Sequence, residues 1–334
     1  MPALALDIGT YSLKAVVGKP GAQVEVIRVA EAYNTTGVSV PTDDVQVDKL
    51  AEIINTFITD HNLPIDDLRL SLPENVVSNK VIAIPRLTDA ELASAINWQA
   101  EQYIPIPLEE LALEYQVLYR PDANQSEKMR VLLIGVRKPV IERYMSIFAK
   151  LGIEPALMET QMISLLRAIH FTAADATSLV VHLGANLMNL TVIHQGELAF
   201  VFNYLSGSQL LTKTVEQTFN LNPTQAEQYK RTYGLDVTQF SGKVAEALKP
   251  SVKLLTDEML KATRFFVNAN PTATVQRVLL SGGGVQLPGL VEHITSTLGM
   301  ETLLVAPFAS ARGTLPETNQ AALSVGMGLL MRDL

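Results

Sequence analysis

The chain has 334 residues, of which 48% are hydrophobic and 18% are charged, a composition typical of a globular protein with apolar residues for two or more cores. Its net charge of −8 and its lack of a basic cluster argue against a nucleic-acid-binding protein. Because the chain has no cysteine, disulfides and thiolate metal sites are excluded. We expect a cytoplasmic protein, since the sequence has neither a recognisable signal peptide nor an apolar run of about 18 residues.

The start of the chain predicts a tight hairpin with a polar tip. Two apolar runs, Ala3–Leu6 and Leu13–Val17, flank a short turn. The turn and its edges carry five residues suited to a phosphate and its divalent cation: Asp7, Gly9, Thr10, Ser12 and Lys14. Backbone N–H groups and an ammonium can bind phosphate oxygens, and a carboxylate can hold metal-bound water. The alternative is a solvated hairpin tip without a ligand, because one short motif is weak evidence.

The next elements predict the rest of a first block and then an insertion. A strand (Val24–Ala32), a helix (Asp48–His61) and a short strand (Leu68–Leu72) complete a β-β-β-α-β block. The segment that follows, up to about Leu157, predicts a small α/β module with strands Val81–Ile84, Leu113–Tyr119 and Arg130–Arg137, a helix capped by Thr88 and a helix Pro139–Leu151. Since this module lacks catalytic residues, we expect a partner surface.

An aromatic and proline cluster marks this module. Its members are Trp98, Tyr103, Pro105 and Pro107, and we expect them to form or support the docking surface. The alternative for Trp98 is a place in the core. An extended peptide commonly binds by adding a strand beside a sheet edge, which depends on main-chain groups more than on side chains.

The third block repeats the first. After a predicted connecting helix, Met158–His170, come strands at Ser178–Leu183, Leu190–His194 and Glu197–Asn203. The segment LVVHLGANLMNLTVI matches LALDIGTYSLKAVV in its order of strand, polar residue, glycine two positions later, loop and strand. This internal duplication predicts two related hairpins that face each other across a ligand.

The last third predicts helices and a glycine-rich turn. Helical spacing covers Gln209–Phe219, Pro223–Tyr233 and Val244–Asn268, and an apolar helix is predicted at Ala321–Met331. Glu227 and Lys230 lie three residues apart on the second helix, a spacing that by itself favours a solvent-exposed ion pair. A strand, Val275–Leu280, leads into Gly282, Gly283 and Gly284, which either contact a base or phosphate or form a packing turn.

The order of these signals is similar to that of the actin, Hsp70 and sugar-kinase superfamily. More specifically, QYIPIPLEEL in the insertion, AEQYK, the stretch Leu260–Pro271 leading to RVLLSGGGVQLPGLVEHI, and a late VAPF resemble the PilM family of type IV pilus assembly, itself related to FtsA. The resemblance covers essentially the whole chain. It implies an α/β, actin-like, two-lobed fold with duplicated mixed sheets and an inserted 1C subdomain of the FtsA/PilM type.

The resemblance also implies a division into four subdomains. Residues 1–79 and 156–177, with the C-terminal helix 320–334, would form subdomain 1A, and residues 80–155 would form the inserted subdomain 1C. Residues 178–213 and 274–319 would form subdomain 2A, and residues 214–273 subdomain 2B.

In the family, ATP binds between the two halves, so the resemblance implies a site for ATP or ADP and Mg²⁺. The first phosphate loop would consist of Asp7, Gly9, Thr10, Ser12 and Lys14, with Lys14 on phosphate oxygens and Asp7 acting on the metal through its waters. Gly184 and Asn186 would form the second loop. Glu227 and Lys230 would contact ribose or adenine, and Gly282, Gly283 and Gly284 would lie against the adenosine.

One departure from the family pattern concerns hydrolysis. His182 stands where the family usually has aspartate, and a hydroxyl residue expected further along the loop is replaced by Leu187, Met188 or Asn189. A neutral imidazole cannot replace a carboxylate in organising hydrated Mg²⁺, and phosphoryl transfer to water needs charge neutralisation. We therefore expect weak or static nucleotide binding, with slow or absent ATPase activity and no assigned catalytic residue.

The resemblance implies an assembly scaffold that docks the cytoplasmic N-terminal peptide of a PilN-like inner-membrane protein in a groove formed with the insertion. Self-association stays open. An FtsA-like membrane-tethered filament protein is an alternative, although the tail GMGLLMRDL lacks an amphipathic basic helix. A sugar or carboxylate kinase is a further alternative, but no aspartate lies between Ser178 and Phe202. The five histidines are scattered without metal-ligand spacing.

Overall fold

The structure, a computed structural model, describes residues 1–122, 127–173 and 176–333. Its strands are β1 (Ala3–Ile8), β2 (Ser12–Lys19), β3 (Glu25–Tyr33), β4 (Leu68–Leu72), β5 (Val77–Ile84), β6 (Leu111–Tyr119), β7 (Met129–Arg137), β8 (Leu157–Thr160), β9 (Ser178–Leu183), β10 (Met188–His194), β11 (Glu197–Tyr204), β12 (Arg277–Ser281), β13 (Glu301–Leu304) and β14 (Arg312–Gly313).

The helices are α1 (Asp44–Asp60), α2 (Asp89–Tyr103), α3 (Lys138–Lys150), α4 (Gln161–Ala168), α5 (His170–Ala173), α6 (Ser208–Phe219), α7 (Pro223–Tyr233), α8 (Lys243–Ala269), α9 (Leu290–Leu298) and α10 (Ser324–Leu330). Within the described part of the chain, none of them is long and apolar enough to cross a bilayer.

The first lobe is built on a six-stranded sheet in the order β14-β3-β2-β1-β4-β8. The opening apolar run forms β1, which is buried along its whole length because both faces of the sheet are covered. Leu4 and Leu6 face a core that includes Ile54 of α1, whereas Ala3 and Ala5 face the core around α10. This burial on two sides explains why the strand reads as a continuous apolar run rather than an alternating one.

The second lobe is built on a five-stranded sheet in the order β11-β10-β9-β12-β13. Five neighbouring strands of the first sheet, β3-β2-β1-β4-β8, have the same arrangement: an antiparallel meander followed by two parallel strands. The duplicated mixed sheets that the resemblance implies are therefore confirmed. Helices α6 to α9 belong to this lobe, and α8 supplies much of its apolar core.

The insertion consists of a three-stranded antiparallel sheet, β5-β7-β6, and helix α2. Helix α2 begins at the predicted capping box, in which Thr88 Oγ1 accepts the Glu91 N–H and the Glu91 carboxylate accepts the Thr88 N–H at 2.8 Å. Leu92 on the inner face of the helix packs on the sheet. Trp98 on its outer face is 62% exposed, so the core alternative for this side chain is wrong.

The insertion and the first lobe share a boundary near Val77. The sheet of the insertion begins there, at β5, a few residues before the predicted boundary at residue 80. Helix α3 contributes Tyr144, Ile147 and Phe148 to the core that also contains α1 of the first lobe. The division into four subdomains stays a prediction.

Four segments differ from the sequence prediction. The helix predicted at Met158–His170 is wrong at its start, because Leu157–Thr160 pairs in parallel with β4 and α4 begins only at Gln161, where the Thr160 side chain caps it. The apolar helix predicted at Ala321–Met331 is a 3-10 turn followed by α10. The short edge strands β13 and β14 were not predicted, since runs of two to four residues carry no periodicity.

Candidate functional site

A cavity of about 550 Å³ lies between the two lobes, a size typical of small-molecule sites. All twelve residues that the resemblance assigned to nucleotide line it: Asp7, Gly9, Thr10, Ser12, Lys14, Gly184, Asn186, Glu227, Lys230, Gly282, Gly283 and Gly284. They come from both hairpins, from α7 and from the turn after β12. The fold thus brings together residues that are as much as 277 positions apart.

The first loop joins β1 to β2. The Gly9 N–H donates to the Ser12 carbonyl at 3.0 Å, and a Cβ at Gly9 would lie 2.8 Å from that same oxygen, so a side chain does not fit there. Asn34, which is buried and directly follows β3, fixes the loop: its Nδ2 donates to the Gly9 carbonyl at 2.9 Å, and its N–H donates to the Tyr11 carbonyl at 2.9 Å. The loop is therefore held by contacts on both of its ends.

The second loop, between β9 and β10, closes in the same way. The Gly184 N–H donates to the Leu187 carbonyl at 2.9 Å, the counterpart of the Gly9 bond. The first N–H groups of α6 then donate to this loop, from Ser208 to the Gly184 carbonyl at 2.9 Å and from Gln209 to the Ala185 carbonyl at 2.9 Å. The two hairpins are thus similar in backbone geometry as well as in sequence.

Asp7 is the buried carboxylate of the first loop. Its side chain is 5% exposed, and its Oδ1 accepts two hydrogen bonds of 2.7 Å, from Ser71 Oγ and from Gln161 Nε2. No described residue donates to Oδ2. Asp7 lines the cavity, and a carboxyl oxygen there that accepts no hydrogen bond from the protein is a candidate ligand for a cation or its water shell.

Asp7 is the candidate residue for binding a metal ion in this site. Among the described residues there is no group of three or more histidine, cysteine, aspartate or glutamate side chains that could hold a metal ion. Mg²⁺ in nucleotide sites is commonly held by one or two carboxylates together with phosphate oxygens and water. The site therefore fits a hydrated Mg²⁺ that Asp7 would hold through water, with the rest of its shell from ligand oxygens and solvent.

His182 lies at the corresponding position of the second loop and is neutral. Burial lowers its pKa to about 4, and Lys14 lowers it as well, whereas Asp7 acts in the opposite direction. Its Nδ1 lies 3.1 Å from Ser281 Oγ, which fixes the ring against β12. At pH 7 this position thus contributes neither the negative charge of a carboxylate nor the positive charge of an imidazolium.

Lys14 supplies an ammonium to the cavity wall, close to the first loop. Its Nζ lies near the first loop, 3.6 Å from where a Cβ at Gly9 would be. The structure gives this ammonium neither an ion pair nor a hydrogen bond with any residue in the described ranges. A half-buried ammonium in a cavity wall that forms no ion pair is suited to an anionic ligand.

Glu227 and Lys230, both on α7, form an ion pair in the cavity wall. Lys230 Nζ lies 2.7 Å from Glu227 Oε2, and the side chains are 8% and 13% exposed, respectively, so the solvent-exposed pair favoured by spacing alone is wrong. Thr212 Oγ1 donates to Glu227 at 2.5 Å and accepts from Lys230 Nζ at 2.9 Å. Burial lowers the pKa of Lys230. It acts to raise the pKa of Glu227, but Lys230, Arg231 and Thr212 outweigh burial and hold that pKa below its usual range.

The three glycines after β12 differ in their surroundings: two are tightly packed and one has open space around it. A Cβ at Gly282 would lie 2.5 Å from the Leu183 carbonyl oxygen, and one at Gly284 would lie 2.7 Å from Leu183 Cγ. A Cβ at Gly283 would have nothing within 4 Å. Packing against the second loop thus requires glycine at Gly282 and Gly284, whereas Gly283 has open space around it and lines the cavity, and contact of this turn with a base or phosphate stays a prediction.

Several residues of the cavity wall were not predicted: Tyr11, Glu31, Gln161, Thr212 and Arg231. Glu31 accepts a 2.7 Å hydrogen bond from Ser12 Oγ. The Arg231 guanidinium carbon lies 5.3 Å from the centre of the Tyr11 ring and so joins α7 to the first loop across the cavity. Only Arg231 had a usable signal, its i,i+4 spacing from Glu227; the others depend on contacts between distant segments.

Known proteins share this architecture. The sequence profile of the family described as Type IV pilus assembly protein PilM matches residues 5–333. The structure of a PilM-PilN type IV pilus biogenesis complex contains a chain with 23% identity and a TM-score of 0.84, covering 98% of this chain and 97% of that one. The ethanolamine utilization protein EutJ from Carboxydothermus hydrogenoformans has 14% identity and a TM-score of 0.60, covering 99% and 89%.

MreB5 of Spiroplasma citri bound to AMPPNP is also similar, with 10% identity, a TM-score of 0.54 and coverage of 98% of this chain and 94% of that one. These likenesses confirm the actin-like, two-lobed α/β fold. Because the family profile extends over nearly the whole chain, the resemblance drawn from the motifs is confirmed too. The chain belongs to the PilM family of type IV pilus assembly proteins.

Proposed function

We propose that this protein is a nucleotide-binding scaffold of the type IV pilus assembly platform, with ATP or ADP held in the cavity between its lobes. The observation that carries the proposal is the convergence of two glycine loops with the same closing hydrogen bond, Gly9 to Ser12 and Gly184 to Leu187, on one cavity. Nucleotide in the related MreB5 structure and membership of the PilM family support it.

The charges of the cavity suit a nucleotide oriented with its phosphates toward the loops. Lys14 and the open N–H groups of the two loops would bind phosphate oxygens. The Glu227–Lys230 pair and the open backbone at Gly283 would accommodate ribose and base at the other end. With His182 neutral, three acidic side chains (Asp7, Glu31 and Glu227) are balanced by three basic ones (Lys14, Lys230 and Arg231).

Asp7 would hold Mg²⁺ through its free oxygen. When bound, the ion would neutralise phosphate charge and order the water around it. Asp7 would act alone in this, since the equivalent position in the second loop is the neutral His182. Ser71 and Gln161 fix the carboxylate through its other oxygen. We infer that Mg²⁺ adds little to nucleotide affinity here and that hydrolysis is slow or absent, because neither loop supplies a second carboxylate.

Calorimetric titration of the full chain with ATP and with ADP, each with Mg²⁺ and with EDTA, tests the nucleotide site. We expect binding in both conditions, with affinities that differ by less than about tenfold. No heat of binding in any condition would contradict the proposal. Phosphate release is measured in parallel, and turnover of about 1 s⁻¹ or faster would contradict the static role.

We further propose that the insertion docks the N-terminal peptide of a PilN-like inner-membrane protein, so that this chain is cytoplasmic and reaches the membrane through that partner. The related complex of PilM with PilN and the family membership support this role. The exposed cluster on and after α2, formed by Trp98, Tyr103, Pro105 and Pro107, offers the aromatic surface that peptide recognition commonly uses.

Titration with a synthetic peptide of the partner's cytoplasmic N-terminus tests this role. Trp98→Ala is expected to weaken binding about tenfold or more if Trp98 contacts the peptide. Phe265→Ala is the matched control, because Phe265 is 60% exposed on α8 of the second lobe, outside the insertion. Absence of binding to the wild type, or an equal loss in both variants, would contradict the docking proposal.

A further inference from the structure

Glu74 is a buried carboxyl at the boundary between the first lobe and the insertion. It is the first residue of the 3-10 turn Glu74–Val76, which joins β4 to β5, and it is 2% exposed. None of the described residues forms an ion pair with it. A buried carboxyl without a counter-charge is costly unless hydrogen bonds satisfy it, so the contacts of Glu74 indicate what retains it.

Three different parts of the molecule donate to Glu74. Its Oε1 accepts the Met162 N–H of α4 at 2.8 Å, and its Oε2 accepts Asn79 Nδ2 of β5 at 2.6 Å. Its carbonyl oxygen accepts Asn203 Nδ2 of β11 at 2.9 Å. The first lobe, the insertion and the second lobe therefore meet at a single residue.

The first-lobe contact leads directly to the cavity. Met162 follows Gln161, whose Nε2 donates to Asp7 Oδ1 at 2.7 Å. Pro73 and Asn75, the chain neighbours of Glu74, also line the cavity. A ligand that moves Asp7 or the start of α4 thus acts on the group that holds the Glu74 carboxyl.

The second-lobe contact leads to the other loop. Asn203 Oδ1 accepts Asn189 Nδ2 at 2.7 Å, and Asn189 Oδ1 accepts Thr191 Oγ1 at 2.8 Å. Asn189 lies on β10, which begins immediately after the second loop. Each loop is therefore connected to Glu74 through two hydrogen bonds and a short stretch of chain.

We propose that Glu74 is a positioning residue that couples occupancy of the cavity to the position of the insertion. This inference rests on the proposed nucleotide binding and extends it to regulation of the proposed docking module. Closure of the lobes around a ligand moves the α4 contact relative to the β11 contact. Because Glu74 accepts from both and is followed at once by β5, that movement is passed to the sheet of the insertion.

A buried atom beside Glu74 indicates that the contact between Asn79 and Glu74 can adopt a second geometry. Asn79 Oδ1 is buried and has no hydrogen-bond partner among the described residues. Such orphans are rare in folded proteins and call for an explanation. A shift of β5 or a rotation of the Asn79 amide would change which of its two ends contacts Glu74, so this contact has an alternative available.

Hydrogen exchange of the full chain, with and without saturating ADP, tests the proposal. In the wild type, ADP is expected to slow amide exchange in β5 by about threefold or more. Glu74→Ala and Asn203→Ala are expected to abolish most of this change while ADP affinity, measured by calorimetry, stays within about threefold. Using both variants keeps the test decisive if Glu74→Ala alone does not fold.

Two further variants test whether loss of the ADP effect reflects loss of coupling through Glu74 or a general loss of stability. Glu74→Gln is expected to retain the ADP effect, because its amide oxygen can accept from Met162 and its N–H group can donate to Asn79 Oδ1. Glu197→Gln is the matched control: Glu197 also lies on β11 and contacts the insertion, through Arg130, but makes no contact with Glu74. It too is expected to retain the effect.

The outcomes distinguish this proposal from the one on which it rests. If ADP binds and exchange in β5 does not change, or changes equally in wild type, Glu74→Ala and Asn203→Ala, the coupling is refuted and nucleotide binding stands. If calorimetry detects no ADP binding to the wild type, both proposals are refuted together.

Discussion

Asp7 and His182 occupy equivalent positions in the two halves of the molecule. Each lies two residues before the glycine that closes its loop. Each is also held by a serine on the neighbouring parallel strand, Asp7 by Ser71 Oγ at 2.7 Å and His182 by Ser281 Oγ at 3.1 Å. The duplicated fold has therefore kept the position and its hydrogen-bonding support while the charge differs.

The residues paired with them across the hairpins differ in the same way. Asp7 pairs with Lys14 across the first hairpin, whereas His182 pairs with Asn189 across the second. The first loop thus carries one charge of each sign and the second carries none. Of the two loops, only the first can therefore contribute charge to the binding of an anionic ligand.

His182→Asp tests what the missing carboxylate does. In the variant, repulsion between two carboxylates and phosphate is expected to weaken metal-free ATP binding by about tenfold or more, and Mg²⁺ is expected to restore it. The measurement is ATP affinity with Mg²⁺ and with EDTA. His293→Asp on α9, outside the cavity, makes the same substitution and is expected to change neither value. If the ATP affinity of His182→Asp were the same with Mg²⁺ and with EDTA, a carboxylate at position 182 would not act through the metal ion.

The pH dependence of stability is expected to reveal Glu74. Burial raises its pKa to about 7, although hydrogen bonds from Met162, Thr160 and Asn79 oppose the shift. Because the folded state binds this proton more tightly than the unfolded state, stability falls as pH rises from the unfolded pKa of about 4.5 to about 7, by on the order of 3 kcal/mol. Below and above that window the contribution is constant.

Urea denaturation of wild type and Glu74→Gln between pH 4 and 8 measures this effect, with the variant serving as the non-titrating reference. The difference in unfolding free energy is expected to move in favour of the variant as pH rises. A difference that is flat across the window would show that Glu74 titrates normally. A difference of the opposite sign would mean that a positive group stabilises its carboxylate.

The buried ion pair on α7 is expected to contribute far more to stability than an exposed pair with similar helical spacing. Glu227→Ala leaves the Lys230 ammonium buried without its counter-charge and is expected to cost about 3 kcal/mol of stability. Asp257→Ala is the matched control, because Asp257 pairs with Lys253 on the surface of α8 and is expected to cost about 0.5 kcal/mol or less. Urea denaturation compares the two, and equal losses would contradict a buried role for Glu227.

Sequence patterns predicted the structure well where a feature depends on one short segment of the chain. The hairpin at Asp7, its copy at Gly184 and the capping box at Thr88 are local, and the structure contains all three. The burial of Lys230 was not predictable in the same way, because an i,i+3 pair has the same spacing whether it faces solvent or a cavity.

The contacts that join the lobes could not be predicted at all. Glu74 and Asn203 are 129 positions apart, and neither belongs to a motif. Gln161 lay within a predicted helix, yet its importance comes from its position as the first residue of α4, next to Asp7. Such contacts depend on tertiary geometry, which local sequence patterns do not reveal.

Substitutions in the glycine turn after β12 can distinguish an effect on packing from an effect on ligand binding. Gly284→Ala places a Cβ 2.7 Å from Leu183 and 2.8 Å from Ser208, so it is expected to lower stability by about 1–3 kcal/mol. Gly283→Ala meets nothing within 4 Å and is expected to leave stability nearly unchanged. Gly283 lines the cavity, however, so if the ligand contacts this turn, nucleotide affinity is expected to fall by about tenfold. Thermal unfolding and calorimetric titration of both variants measure the two effects, and a Gly283→Ala protein with wild-type affinity would place the ligand away from this turn.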